Sequence, residues 1–195
     1  MKKLLPLLCI LLIGCTVQTQ KITNPNGKSK TYQTFKNIDT NNYYLELFDR
    51  NVTKNDNTKI IMAKKDNNYY YEINGTSKIA IIQKQGYKYT IDKEYKTYKK
   101  EENQTITNSA EGIIPNIKTL KNQTYETGKE KIYNQALTYE KYQNNQNEST
   151  YYFKGNKLIY IKYKTYEKTL LYKFNNLKKT TDKLFEIKNY QEITY

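Results

Sequence analysis

The chain carries few side chains that can do chemistry, and its two cysteines are the most informative of them. Its 195 residues include no histidine, no tryptophan and only two thiols, Cys9 and Cys15. A histidine general base, a Ser-His-Asp triad and a Cys/His metal site are therefore excluded within this sequence. We predict a protein that is not an enzyme and that holds no metal and no cofactor.

Two groups of neighbouring carboxylates are the remaining candidates for general acid and base chemistry. They are Glu101-Glu102 and the pair formed by Asp92 and Glu94. Both groups lie in polar segments, where adjacent acids are usually solvated. We interpret them as parts of strand edges or turns, and we predict no catalytic residue.

The segment before Cys15 has the layout of an export signal. Met1-Lys2-Lys3 is a short basic start, and the apolar run Leu4 to Ile13 follows it. A helix of about ten residues spans about 15 Å, half of a bilayer core, so the run is too short for a durable membrane span. It is typical of the apolar core of a secretory signal peptide.

The apolar run ends in Leu12-Ile13-Gly14-Cys15, which resembles the lipobox of bacterial lipoproteins. The resemblance implies a diacylglyceryl thioether on Cys15 and cleavage between Gly14 and Cys15, so that residues 1–14 are the signal peptide. An ordinary secretory signal that contains a cysteine, and an uncleaved anchor, are the alternatives. Because Cys9 leaves with the signal and acylation consumes Cys15, we predict no disulfide in the mature chain.

Location and partners follow from that anchor. We predict a protein of the bacterial cell envelope, with membrane lipid as its partner through the acylated Cys15. The outer membrane, facing the periplasm or the cell surface, is favoured by analogy, because Thr16 stands where an aspartate signals inner-membrane retention.

The net charge is strongly basic but says little about partners. Lysine and arginine number 33 against 19 acidic residues, a formal charge of +14. The lysines are spread along the whole chain, and Arg50 is the only side chain able to form a bidentate fork with phosphate. We therefore predict no nucleic-acid partner. Attraction to anionic lipid headgroups, about 1 kcal/mol for each nearby lysine, is a milder interpretation.

The mature chain divides into a polar start and a β-rich remainder. Residues 15–42 are predicted to be the lipidated cysteine and a flexible polar tether, which includes the turn signal Asn24-Pro25-Asn26-Gly27. Residues 43–195 are predicted to form the folded domain. Three residues at spacing three permit a short amphipathic helix at the end of the tether: Tyr32, Phe35 and Ile38.

The predicted domain reads as a series of short strands. Apolar and polar residues alternate with period two, and turn residues recur about every 10 to 14 residues, which is typical of an antiparallel meander. Asn74-Gly75 predicts a hairpin over residues 69–83, and Asn108 to Leu120 predicts a helical insert that begins near Pro115. Later strands are predicted at Lys131 to Asn134, Leu137 to Tyr142, Thr150 to Phe153, Lys157 to Lys164, Thr169 to Phe174 and Leu184 to Ile187.

Two segments resemble the LolA/LolB-like lipoprotein carriers. One is Tyr87-Lys88-Tyr89-Thr90-Ile91-Asp92 with Lys96-Thr97-Tyr98, after a glycine turn. The other is Asp182 to Tyr190, similar to the closing strand of that superfamily, with Lys188 where proline is common. The resemblance implies a mainly β fold with a helical insert: one curved antiparallel sheet of about eleven strands, an incomplete barrel with a short helix over its concave face. Such folds carry lipid or the acyl chains of other lipoproteins.

In such a half-barrel the more apolar register of each strand is expected to face inward. A tyrosine wall suits a cavity for an amphiphile, and it equally suits an ordinary sheet, because tyrosine has a high strand propensity. The hypothesised function is binding or transfer of a hydrophobic ligand; the alternative is a structural or surface-interaction lipoprotein with a filled core. The candidate ligand-facing residues are Tyr43, Leu45, Leu47, Tyr69, Tyr71, Ile73, Tyr87, Tyr89, Ile91, Tyr172 and Phe174.

Overall fold

The computed structural model describes residues 19–50, 58–102, 110, 112–144 and 146–194. Nearly all of the regular structure in these residues is β-strand. The elements are β1 Gln20–Ile22, α1 Lys30–Phe35, β2 Asn42–Asp49, β3 Lys59–Lys65, β4 Asn68–Asn74, β5 Lys78–Lys84, β6 Tyr87–Asp92, β7 Thr97–Glu102, α2 Ile117–Leu120, β8 Tyr125–Ile132, β9 Gln135–Asn144, β10 Asn147–Lys154, β11 Lys157–Lys164, β12 Thr169–Lys178, a 3-10 helix Asp182–Phe185 and β13 Gln191–Glu192.

All described strands belong to one open, 13-stranded sheet, in the order β1-β8-β9-β10-β11-β12-β2-β3-β4-β5-β6-β7-β13. Two meanders, β2 to β7 and β8 to β12, are joined where β12 pairs with β2. Every pairing is antiparallel except that of β13 with β7. The predicted mainly β fold with one antiparallel sheet is confirmed, and so is the hairpin over residues 69–83, which is formed by β4 and β5.

Three predicted details of the sheet are wrong. There are 13 strands in place of about eleven, because the edge strands β1 and β13 are only three and two residues long and carry no apolar alternation. Strand β8 lies at Tyr125–Ile132, so the predicted strand over 131–134 takes in only the last two residues of β8 and the turn that follows it. The predicted strand Leu184 to Ile187 begins instead inside the 3-10 helix.

The predicted helical insert is minimal in the structure. Its helix, α2, has four residues and follows Pro115, with the Asn116 side chain accepting a hydrogen bond from the Lys118 amide at 3.0 Å. The helix permitted at Tyr32 and Phe35 does form as α1, capped by Ser29. None of the described helices has the length and hydropathy that a membrane crossing requires.

The two halves of the sheet are covered on opposite faces. The face that carries Leu45 and Leu47 packs against α1 and the segment around α2, and we call it the helix face. On the other face, here called the tail face, the 3-10 helix covers β3 to β6. Phe185 is buried there, with its ring edge-on to Tyr70 at 6.4 Å between centroids.

A third cluster lies on the tail face of the other half of the sheet. It is built from Leu137, Tyr139, Tyr152 and Tyr160, all at most 8% exposed. Tyr133, in the turn between β8 and β9, folds back over it: the ring lies 6.0 Å from Tyr160, and the hydroxyl donates to the Arg50 carbonyl at 3.0 Å. Among the described residues, the large hydrophobic side chains left exposed are Ile73, Tyr95, Tyr133 and Tyr166.

Candidate functional site

The predicted lipid-attachment residue Cys15 and its neighbour Gly14 lie outside the described residues. The described chain begins at Thr19, four residues after Cys15, and enters the sheet at once as β1. Strand β1 pairs with β8, with Gln20 opposite Thr127. The sheet therefore starts very close to the predicted anchor.

Residues 19–42 differ from the predicted flexible tether. Pro25 and Gly27, in the predicted turn, are buried, and the Gly27 amide donates to the Lys121 carbonyl at 2.7 Å. Helix α1 follows, and Phe35 at its end is fully buried. This segment is polar and still contacts the domain, because backbone hydrogen bonds need no apolar side chains.

A buried carboxylate holds α1 on the sheet. Glu140 lies on β9 and is only 5% exposed. Its carboxylate accepts hydrogen bonds from the Lys30 and Thr31 amides, both at 2.8 Å, from the Thr31 hydroxyl at 2.7 Å and from the Tyr142 hydroxyl at 3.2 Å. A negative charge at a helix start satisfies amides that have no partner within the helix. Burial raises the pKa of Tyr142, and the neighbouring Glu140 charge raises it further.

A second buried carboxylate lies on the tail face. Glu72 is 3% exposed, accepts a hydrogen bond from the Tyr70 hydroxyl and pairs with Lys93 at 3.0 Å. Burial raises the pKa of Tyr70, and the hydrogen bond to Glu72 adds to the shift. Because hydroxyl and ammonium partners satisfy the carboxylate, we interpret this group as a structural ion pair.

The carboxylates considered for acid and base chemistry lie at the surface. Glu101 pairs with Lys88 at 3.0 Å and Lys99 at 3.1 Å, and these partners lower the pKa of its carboxyl. Asp92 accepts from the backbone amides of Glu94 and Tyr95, at 2.9 and 3.0 Å, within the turn after β6. Both carboxylates have a structural task, and neither faces a described cavity.

Part of the predicted ligand-facing set is packed inside the helix-face core. Tyr43, Leu45 and Leu47 are 3%, 0% and 0% exposed. They belong to one cluster with Phe35 from α1 and Leu120 from α2. Since these helices lie where a ligand was expected, the three side chains contact protein.

The remaining predicted ligand-facing residues do not share one face. Tyr172 and Phe174 lie on the helix face, because Phe174 pairs with Leu47. Strand β4 places Tyr69, Tyr71 and Ile73 there too, yet its most buried positions are Tyr70 and Glu72 on the other side. The residues on the tail face are Tyr87, Tyr89 and Ile91.

This division has a simple physical reason. The alternation of apolar and polar residues along a strand shows which set of its side chains is buried. It does not show which element covers them, and neighbouring strands can be covered from opposite sides of the sheet. Strand β6 buries Tyr89 and Ile91 under the C-terminal tail, whereas β2 buries Leu45 under α1. The single inward wall expected from the sequence is therefore wrong for β6.

One described surface depression of about 540 Å³ lies between the β9–β10 and β11–β12 turns. Each lining residue carries a polar group, and Tyr166 among them is 95% exposed. Among the residues placed by the structure, no group of three or more potential metal ligands occurs. The depression is lined by Gln146, Asn147, Thr165, Tyr166, Glu167 and Lys168.

The fold and its packing define a class: an open, mainly antiparallel β-sheet whose two halves are filled from opposite faces. Compared with protein-family models and with curated protein sequences, the chain matches none.

Proposed function

We propose that the protein is a membrane-anchored lipoprotein of the cell envelope, attached through Cys15, whose domain is a filled structural or surface-interaction body without an internal ligand. The single observation that supports the second half of this proposal is the packing of Tyr43, Leu45 and Leu47, all at most 3% exposed. The lipobox supports the first half. The proposal includes no catalytic role and no cofactor.

Aromatic side chains from α1 and β10 pack in one cluster with Tyr43, Leu45 and Leu47 and support a filled domain. Phe35 is fully buried and stands edge-on to Tyr151, with 5.8 Å between ring centroids. The Tyr151 hydroxyl donates to the Ile113 carbonyl at 3.2 Å, so the segment before α2 is fastened to β10. An acyl chain would have to displace these contacts, and close-packed interiors resist such displacement.

The curved half-barrel shape belongs to the proposal as well. In a flat sheet, β9 and β2 would lie about 19 Å apart, since three strands separate them. The hydrogen bond between Tyr133, just before β9, and the Arg50 carbonyl, just after β2, is 3.0 Å long. This contact supports a sheet that is curved or strongly twisted in this half and not flat.

The carrier function remains a second candidate, favoured by one observation. On the helix face of β4 and β5, Ile73 is 40% exposed, and Tyr71, Ile79 and Ile81 are only half-buried. An acyl chain lying there would gain about 0.8 kcal/mol for each buried methylene. A ligand would then occupy an outer surface and leave the helix-face core filled.

Titration of the protein with a fluorescent fatty acid separates the two candidates. The filled-body proposal predicts no saturable binding, either for the native chain or for Ile73→Asp. Saturable binding that Ile73→Asp removes, and that the exposed control Tyr166→Asp retains, would replace it with the carrier function.

The anchor is tested by Cys15→Ser, with Cys9→Ser as the matched control. Without the thiol no thioether forms, so Cys15→Ser should accumulate as an unprocessed or soluble form and leave the detergent phase. Cys9→Ser should partition like the native protein, because Cys9 is removed with the signal. Unchanged membrane partition of Cys15→Ser would contradict the anchor.

A further inference from the structure

A group of lysines lies at the end of the sheet where the described chain begins. Gln20 pairs with Thr127, so the same register places Thr19 beside Gly128, the neighbour of Lys129 on β8. The Thr19 hydroxyl lies 3.3 Å from the hydroxyl of Tyr139, which pairs with Gly128. The strand pairing and the hydroxyl contact together place the start of the described chain beside Gly128 on β8.

Five lysines from three separate parts of the chain meet here. Lys129 pairs with Thr138, and the Lys30 ammonium donates to the Thr138 hydroxyl at 3.3 Å and to the Gly155 carbonyl at 2.7 Å. Gly155 lies in the turn between β10 and β11, where Lys154 and Lys157 are directly opposed. We call this group the lysine end: Lys30, Lys129, Lys131, Lys154 and Lys157.

The charge of the lysine end is not balanced by the protein. Among the ion pairs of the described residues, none involves these five ammonium groups. The nearby Glu130 carboxylate is engaged by the Tyr152 hydroxyl and by Lys162. Like charges directly opposed across two strands are destabilising, so the Lys154–Lys157 pair favours an external anion.

At the opposite end of the sheet, the turns carry side chains of both charges. The turn after β6 reads Lys93-Glu94-Tyr95-Lys96, and the turn after β11 contains Glu167 beside Lys168. Acidic and basic side chains alternate in both turns. These turns mix both signs of charge, whereas the Glu130 carboxylate beside the lysine end already has partners of its own.

Chain length connects the lysine end to the proposed anchor. Thr19 is the fourth residue after Cys15, so their Cα atoms lie within about 14 Å of each other even in a fully extended chain. Charges at a surface are felt over a Debye length of about 8 Å at physiological ionic strength. An acyl group in the membrane would hold the lysine end within reach of the headgroups.

We propose that the lysine end docks on the anionic phospholipid headgroups of the membrane that holds the anchor, which gives the domain one fixed orientation. This inference rests on the proposed lipid anchor at Cys15. The turns after β6 and β11 then point away from the bilayer and present the outer surface of the domain.

Residue-resolved lysine acetylation tests this orientation. The lipidated full-length protein is reconstituted in vesicles of phosphatidylcholine alone or with phosphatidylglycerol, and acetylation is read by mass spectrometry. In anionic vesicles we expect labelling of Lys129, Lys131, Lys154 and Lys157 to fall more than fivefold, with recovery in high salt. The control lysines Lys78, Lys96 and Lys168, exposed at the opposite end, should label equally in both vesicles.

A charge-reversed protein, with Glu at positions 129, 131, 154 and 157, completes the test. It should stay in the vesicles through its acyl group, while acetylation of Lys30, the one lysine of the lysine end left unchanged, becomes the same in both lipid mixtures. Equal labelling of the native lysine end in both vesicles, with the protein still vesicle-bound, would overturn the docking and leave the anchor intact. A chain that carries no lipid and stays in the aqueous phase would overturn the anchor and the docking together.

Discussion

Raising the pH from about 9 to about 12 should unfold this domain cooperatively, because burial keeps many tyrosine hydroxyls protonated in the folded state. Burial raises the pKa of Tyr43 to about 12. Burial also raises the pKa of five further tyrosines, and for Tyr152 among them a hydrogen bond to Glu130 adds to the shift. The tyrosines with raised pKa that are at most 6% exposed are Tyr43, Tyr70, Tyr142, Tyr151, Tyr152 and Tyr172.

The direction of the pH effect follows from linkage. An unfolded tyrosine loses its proton near pH 10, whereas the folded one keeps it, so the stabilisation is complete below pH 10 and is lost as the pH rises. Each such tyrosine lowers the free energy of unfolding by about 1.4 kcal/mol per pH unit above 10, and six together by about 8 kcal/mol. Since domains are stable by about 5 to 15 kcal/mol, the transition should be centred near pH 11.

Far-ultraviolet circular dichroism and tyrosinate absorbance, followed in one titration, measure this transition. The step in tyrosinate absorbance that reports the six buried tyrosines should coincide with the loss of circular dichroism. Tyr172→Phe should reduce the slope of the free energy of unfolding against pH by the equivalent of about one proton. Tyr166→Phe, at a position 95% exposed, should leave that slope unchanged. Gradual ionisation centred at pH 10, with the circular dichroism retained to pH 12, would contradict the expected burial of these hydroxyls.

Replacement of Glu140 by alanine should lower the free energy of unfolding by about 4 kcal/mol. The substitution leaves the buried amide and hydroxyl of Thr31 and the part-buried amide of Lys30 without their acceptor. An unsatisfied buried donor costs about 1 to 3 kcal/mol. Glu140→Gln keeps the shape of the side chain but turns an NH2 group towards these donors, so an intermediate loss is expected.

Urea unfolding monitored by circular dichroism measures the Glu140 effect. Glu101→Ala is the control: its carboxylate also has partners, Lys88 and Lys99, but lies at the solvent-exposed surface of β7. It should leave the free energy of unfolding nearly unchanged, since exposed ion pairs contribute little. Equal effects of the two alanine substitutions would show that Glu140 does not hold α1 on the sheet.

Strands with one buried face could be predicted from the sequence, because apolar residues recur at every second position. The short edge strands, which bury neither face, could not. The alternation of Tyr43 to Phe48 and of Tyr87 to Asp92 gives β2 and β6 close to their observed bounds. Strand β1 has the sequence Gln20-Lys21-Ile22, and it pairs through backbone hydrogen bonds that leave no pattern in side-chain polarity. The residues Leu184 to Ile187 suit a strand by type, yet Phe185 enters the core from a 3-10 turn.

The candidate sites were less predictable than the strands, because they depend on which face each layer covers. The registers of β2 and β6 are equally clear in the sequence but point to opposite faces. The buried Glu140 carries a weak signal, a single acid within the apolar strand Leu137 to Tyr142. The lysine end carries none, since Lys30 and Lys129 are far apart in sequence and meet only through the pairing of β8, β9 and β10.

The central claim, a filled domain held at the membrane by an acylated Cys15, is tested most directly by the mass of the membrane-extracted protein under denaturing and native conditions. The denaturing spectrum should show a chain that begins at Cys15 and carries a covalent diacylglyceryl group. The native spectrum, recorded after release from detergent, should give the same mass. An unmodified Cys15, or a further lipid bound in stoichiometric amount in the native spectrum only, would contradict the account.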